Sequence, residues 1–202
     1  RVAEFAARFN AVAASKLGFQ AAIYTAEDDA PALQVVQKSW RASYRDEARL
    51  QEFAAACDVV TFEFENVPVD ALRIVQQTTV VSPPPLAADV AQDRLNERRF
   101  FESLSLPIAP YLFLEAGSVS IEAARFVIDH GGGILKLTRE GYDGRGQRRV
   151  TNPEELEAAV IGLNGPCILE AVMPFAAETS VIGVRDAHGE IAFYDLPINR
   201  HE

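Results

Sequence analysis

Three consecutive prolines, Pro83-Pro84-Pro85, divide the chain into two stretches with different rhythms. Proline has no N–H to give to a strand ladder or a helix interior, and it drives the residue before it out of helical conformation. A boundary therefore belongs near residue 88. Before it, Val2, Phe5, Phe9, Val12 and Ala13 recur at helical spacing, with Leu17 extending the stripe to Gly18. A strand over 20–25, a helix over 45–56, a strand over 58–64, a helix over 69–77 and a strand over 79–82 follow, with a polar turn at Glu27-Asp28-Asp29. Helices alternating with short β-branched strands imply parallel crossover units and a doubly wound α/β unit over 1–88. After the prolines come a charged helix over 89–104 and strands over 133–137 and 146–150 around a glycine-rich loop. A helix over 153–163 and strands over 166–171, 178–185 and 190–196 complete the chain. Asp186-Ala187-His188-Gly189 reads as a hairpin turn. This second rhythm is that of an antiparallel α+β unit over 89–202.

The charge balance narrows the partners. Asp and Glu number 29 against 19 Lys and Arg, a formal net charge of -10. Long-range repulsion opposes nucleic acid and anionic membrane surfaces, although a few local cations suffice for a small anionic ligand. No apolar run approaches the roughly 18 residues of a membrane span, and the start of the chain lacks the order of a signal peptide. Cys57 and Cys167 form no CxxC pair and read as core fillers in a reducing, cytoplasmic setting. His130, His188 and His201 match no zinc motif. His130-Gly131-Gly132-Gly133 resembles an oxyanion loop, but no GxSxG elbow accompanies it.

The segment from Gly133 to Gln147 carries the most chemistry. Gly141, Gly144 and Gly146 fall within six positions between two strands, and Lys136 stands on the strand that feeds them. Successive N–H groups of such a loop can point at phosphate oxygens, and a lysine there reaches the same group. A long hairpin turn with Lys136 on a solvent face fits those residues equally. Glu170 ends a strand before the apolar linker Val172-Met173-Pro174-Phe175, a hinge able to face a planar base. Glu178 can accept from a ribose diol, or it is an exposed edge residue. Glu63 and Glu65 alternate with Phe62 and Phe64 at the carboxyl end of a predicted parallel strand, where open α/β sheets bind ligands. A half-buried strand with a polar face explains them as well.

Together these segments resemble the ATP-grasp superfamily and, within it, the 5-(carboxyamino)imidazole ribonucleotide synthase family of purine biosynthesis. The likeness runs in order through Thr61-Phe62-Glu63-Phe64-Glu65-Asn66-Val67-Pro68, Gln92-Asp93-Arg94, Leu106-Pro107-Ile108-Ala109-Pro110, Gly141-Tyr142-Asp143-Gly144-Arg145-Gly146 and Glu178-Thr179-Ser180-Val181-Ile182. It implies a Rossmann-like pre-ATP-grasp domain over 1–88 and the first part of an α+β ATP-grasp domain over 89–202. It also implies an enzyme that uses Mg-ATP to make carboxyphosphate from bicarbonate and then carboxylates 5-aminoimidazole ribonucleotide, as a homodimer.

By that resemblance Lys136 and Arg145 are the catalytic pair, and Arg94 joins Lys136 on the ATP phosphates. Gly141, Gly144 and Gly146 form a lid over the nucleotide, Glu170 and Val172 bracket the adenine, and Glu178 holds the ribose. Tyr142, Asp143 and Arg145 face the imidazole ribonucleotide, with Glu63 or Glu65 helping to seat it. Bicarbonate attack on the γ-phosphate concentrates negative charge that preorganised cations stabilise, and a labile carboxyphosphate requires a lid that excludes water. Family members often carry Arg where Thr138 stands, which leaves Arg139 to substitute or not.

The same resemblance places a first strand and its Gly-rich turn before Arg1, and the magnesium ligands beyond Glu202. The chain is therefore expected to be truncated at both ends, and without turnover if it is the entire polypeptide. The alternatives are another ATP-grasp carboxylate–amine ligase or a catalytically silent nucleotide-binding fragment.

Overall fold

The computed structural model describes residues 2–139 and 146–199, so Gly141, Tyr142, Asp143, Gly144 and Arg145 lie outside the described residues. Helix α1 (Val2–Lys16) leads into β1 (Ala22–Thr25), which pairs in parallel with β2 (Lys38–Arg41). Helix α2 (Glu47–Ala55) starts where Asp46 accepts from the Arg49 N–H, and it buries Leu50, Phe53 and Ala54 on one face. Strand β3 (Val59–Val60), helix α3 (Val69–Gln76) and strand β4 (Val80–Val81) follow, with β3 and β4 again parallel. Leu72 and Val75 of α3 pack with Leu50, Phe53, Val60 and Val81 into one core.

The ladder between β3 and β4 is shorter than the sequence suggests. The Ser82 N–H still donates to the Val60 carbonyl at 2.9 Å, but the prolines that follow have no N–H to extend the pairing. Residues 61–64 consequently run on without a partner strand, and the predicted strand over 58–64 reduces to Val59–Val60. The predicted helix over 89–104 is in fact two. Helix α4 (Pro85–Ala91) ends at Gln92, and α5 (Arg94–Ser103) begins after Asp93, whose extended backbone breaks the run. The Asp93 carboxylate accepts from the Leu95 and Asn96 N–H groups and caps α5. Asp93→Ala should cost about 1 kcal/mol, read as a lower thermal unfolding midpoint, because those donors lose their acceptor. An unchanged midpoint would count against the cap.

A four-stranded antiparallel sheet in the order β5-β8-β6-β7 forms the second unit. Its strands are β5 (Tyr111–Leu114), β6 (Gly133–Leu137), β7 (Gln147–Val150) and β8 (Cys167–Ala171). Helices α6 (Ile121–Asp129) and α7 (Pro153–Leu163) cover one face, where Val127, Leu156 and Val160 meet Leu135, Val150, Cys167 and Leu169. Period-2 alternation turns Ile134 and Lys136 of β6, and Ile168 and Glu170 of β8, to the other face. Beyond lie β9 (Glu178–Thr179), paired antiparallel with β12 (Ile198–Asn199), and the hairpin of β10 (Gly183–Arg185) and β11 (Ile191–Phe193) turning at Asp186–Gly189. The expected strand over 178–185 is thus interrupted at 180–182. Among the described residues no helix is long and apolar enough to cross a membrane.

Candidate functional site

The face of the sheet turned away from α6 and α7 gathers charge. Register places Lys136 opposite Ile168 and Ile134 opposite Glu170, so Lys136 and Glu170 are diagonal neighbours within reach of long side chains. The Lys136 ammonium donates to Glu170 Oε2 at 2.5 Å. From α5, Arg98 brings Nε and Nη2 to Glu170 Oε1 at 2.7 and 2.6 Å. The Glu170 side chain is 6% exposed and those of Arg98 and Lys136 are 20% and 23% exposed, so the three interact largely out of water. Burial alone pushes the Glu170 carboxyl up; the bonds and charges of Lys136 and then Arg98 outweigh it and hold the group below its ordinary value.

Arg94 joins from the first turn of α5. Its backbone N–H donates to the Thr138 carbonyl at 2.9 Å, and its guanidinium donates to the Leu137 carbonyl at 2.8 Å. Arg139 is drawn sideways to Asp93, its Nε 3.0 Å from Oδ2. Thr138 is buried, and its N–H donates to the Pro166 carbonyl. The stem of the glycine-rich segment closes where the Leu137 N–H meets the Gly146 carbonyl at 2.9 Å. Gly146 has φ +73°, a left-handed conformation that favours glycine.

Lys136, Arg94 and Glu170 are therefore gathered at one end of β6. Val172 is half-buried just past β8. Glu178, on β9, accepts from Asn199 Nδ2 at 3.1 Å. Strand β8 runs one residue past Glu170, and two cations claim the Glu170 side chain. Glu63 and Glu65 require a larger correction. Neither lies on a strand: the ladder ends at Val60, Glu63 is exposed in the unpaired run, and Glu65 is exposed in a turn. Glu63 lines a cavity of about 260 Å³ shared by β1, the run after β3 and α3, with Tyr24, Phe53, Phe62 and Leu72 in its wall; Glu65 does not. Their loop is tied to the other cluster by Gln92, whose Nε2 donates to the Val67 carbonyl at 2.6 Å, two residues before Arg94.

Sequence reasoning passed over Arg98. The signal was present: Arg94 and Arg98 are four apart, which puts both on one face of α5. Cys57 and Cys167 pack against the two cores, and burial pushes both thiols up, away from a nucleophile's range.

Known proteins share this architecture over nearly the whole chain. The ribonucleotide synthetase preATP-grasp domain family matches residues 5–92, and the ATP-grasp domain family matches residues 99–202. The N5-carboxyaminoimidazole ribonucleotide synthase of Brucella melitensis is 39% identical over 198 residues, covering 96% of this chain and 54% of that protein. A crystal structure of an N5-carboxyaminoimidazole ribonucleotide synthetase in complex with ADP superposes with a TM-score of 0.87 at 30% identity, over 97% of this chain and 52% of that one. The synthetase from Thermus thermophilus gives a TM-score of 0.81 at 36% identity, with 97% and 52% covered. The chain thus spans about half the length of the curated relatives it matches.

Proposed function

The chain belongs to the ATP-grasp family, and from that premise we propose that the protein uses ATP to carboxylate 5-aminoimidazole ribonucleotide with bicarbonate. The reaction passes through carboxyphosphate and yields N5-carboxyaminoimidazole ribonucleotide, ADP and phosphate. The observation that carries this reading is the convergence of Arg94, Arg98 and Lys136 on the end of β6, beside the stem of the glycine-rich segment. Cations fixed by buried partners suit a polyphosphate, since they need little reorganisation when charge builds up on the γ-phosphate. The likeness to carboxyaminoimidazole ribonucleotide synthases over nearly the whole chain supports 5-aminoimidazole ribonucleotide as the second substrate.

In this proposal Lys136 and Arg94 bind the phosphates, and Arg145 acts with Lys136 on the transferring group. Because the Glu170 side chain is engaged by cations, recognition of the adenine falls to the backbone from Glu170 to Val172. Glu178 takes the ribose hydroxyls. Tyr142, Asp143 and Arg145, which lie outside the described residues, are the groups proposed to bind the imidazole ribonucleotide, and Gly141, Gly144 and Gly146 the nucleotide. Glu63, on the cavity, is the better candidate of the two carboxylates for seating that substrate. Among the described residues no group of three or more His, Cys, Asp or Glu side chains stands together as a metal site.

The test is phosphate release from Mg-ATP in bicarbonate buffer, with and without 5-aminoimidazole ribonucleotide. The ribonucleotide should stimulate release several-fold or more. Stimulation by a different carboxylate and amine pair would assign another ligase activity, and release that the ribonucleotide leaves unchanged would count against this substrate.

A further inference from the structure

Resting on the nucleotide-binding reading above, we propose that Arg98 is a positioning residue: it holds Glu170 from behind so that Lys136 is presented to a polyphosphate at a fixed point with net positive charge. The geometry is specific. Arg98 gives two donors, Nε and Nη2, to the single oxygen Oε1 at 2.7 and 2.6 Å, while Oε2 takes the Lys136 ammonium. A carboxylate held this way cannot rotate without breaking short charge-assisted bonds, and the lysine it anchors cannot wander. Glu97 lies beside Arg98 at 3.7 Å but is far more exposed, so Glu170 is the partner that matters.

Charge gives the second half of the argument. A buried Lys136–Glu170 pair alone would be neutral, and an incoming phosphate would have to compete with the carboxylate for the ammonium. With Arg98 present, two cations share the one buried carboxylate, and because Glu97, 3.7 Å from Arg98, is 37% exposed and screened by water, the buried part of the cluster keeps one net positive charge. The hold of Glu170 on Lys136 is diluted, and the field at the end of β6 favours an anion. Arg94, one turn earlier on the same face of α5, adds to that field from the Leu137 carbonyl.

The experiment measures ADP affinity by calorimetry in the full chain for Arg98→Gln, Arg98→Lys, Lys136→Ala and the double variant Arg98→Gln/Lys136→Ala. Arg98→Gln should weaken ADP about 10-fold, the scale of one charge-assisted interaction. Arg98→Lys keeps a cation against Glu170, preserves folding and should recover part of that loss. In the Lys136→Ala background, Arg98→Gln should cost clearly less than it does in the wild-type chain, since the ammonium it positions is gone and only the change in field remains. Equal losses in both backgrounds would show that Arg98 acts on its own and overturn the proposal, as would unchanged affinity for Arg98→Gln. Full ADP affinity in Lys136→Ala alone would instead overturn the nucleotide-binding reading on which the proposal rests.

Discussion

Lys136→Ala should weaken ADP binding about 30-fold in titration calorimetry, the scale of losing hydrogen bonds from a charged donor to phosphate. The ammonium is the cation of the cluster that stands on the strand feeding the glycine-rich segment, and its diagonal placement against Glu170 fixes where it points. Folding should survive the change, because Glu170 keeps both of its bonds to Arg98. Unchanged ADP affinity would remove Lys136 from the phosphate site. It would also leave the net charge of the cluster without a ligand to explain it.

How far the sequence reveals this arrangement differs from element to element. The strand over 133–137 and the helix over 153–163 are legible and appear with those bounds, since the short apolar run Gly133-Ile134-Leu135-Lys136-Leu137 and an Asn152-Pro153 start are strong local signals. Helix α6 is not read in advance. Its buried residues are Ala123 and Val127, while Ile121 at 90% and Ile128 at 67% exposure put large apolar side chains on the solvent side and blur the stripe. Strand β2, Lys38-Ser39-Trp40-Arg41, shows no alternation at all and is placed by its ladder with β1. At the site, residue types announce Lys136 and Arg94. The commitment of Glu170 to two cations does not show, because it depends on α5 lying across the sheet 72 positions away in sequence from its partner. Glu63 and Glu65 mislead for a related reason: their alternation is that of a strand, and a ladder halted by Pro83 leaves them outside it.

Glu170→Gln should destabilise the protein by about 3 kcal/mol, because removing the charge from a buried ion pair leaves its partners uncompensated. The amide makes the mismatch worse. Glu170 accepts three bonds, two on Oε1 and one on Oε2, and a glutamine must turn its NH2 toward Arg98 or Lys136, donor against donor. Urea unfolding at neutral pH would read the loss as a lower midpoint with an unchanged slope. Acid carries the same information. The carboxyl of Glu170 titrates lower in the folded protein than in the unfolded chain, against the pull of its own burial, because Lys136 and Arg98 stabilise the anion. Its contribution to stability is therefore complete above the ordinary carboxylate range and is lost as pH falls through the depressed folded value. The gap in unfolding free energy between the wild-type protein and Glu170→Gln should be widest near neutrality and close steadily on acidification below that range. A gap that stayed constant with pH would mean that Glu170 stabilises the sheet by packing alone, and the cation cluster would then lack the anion that holds it together.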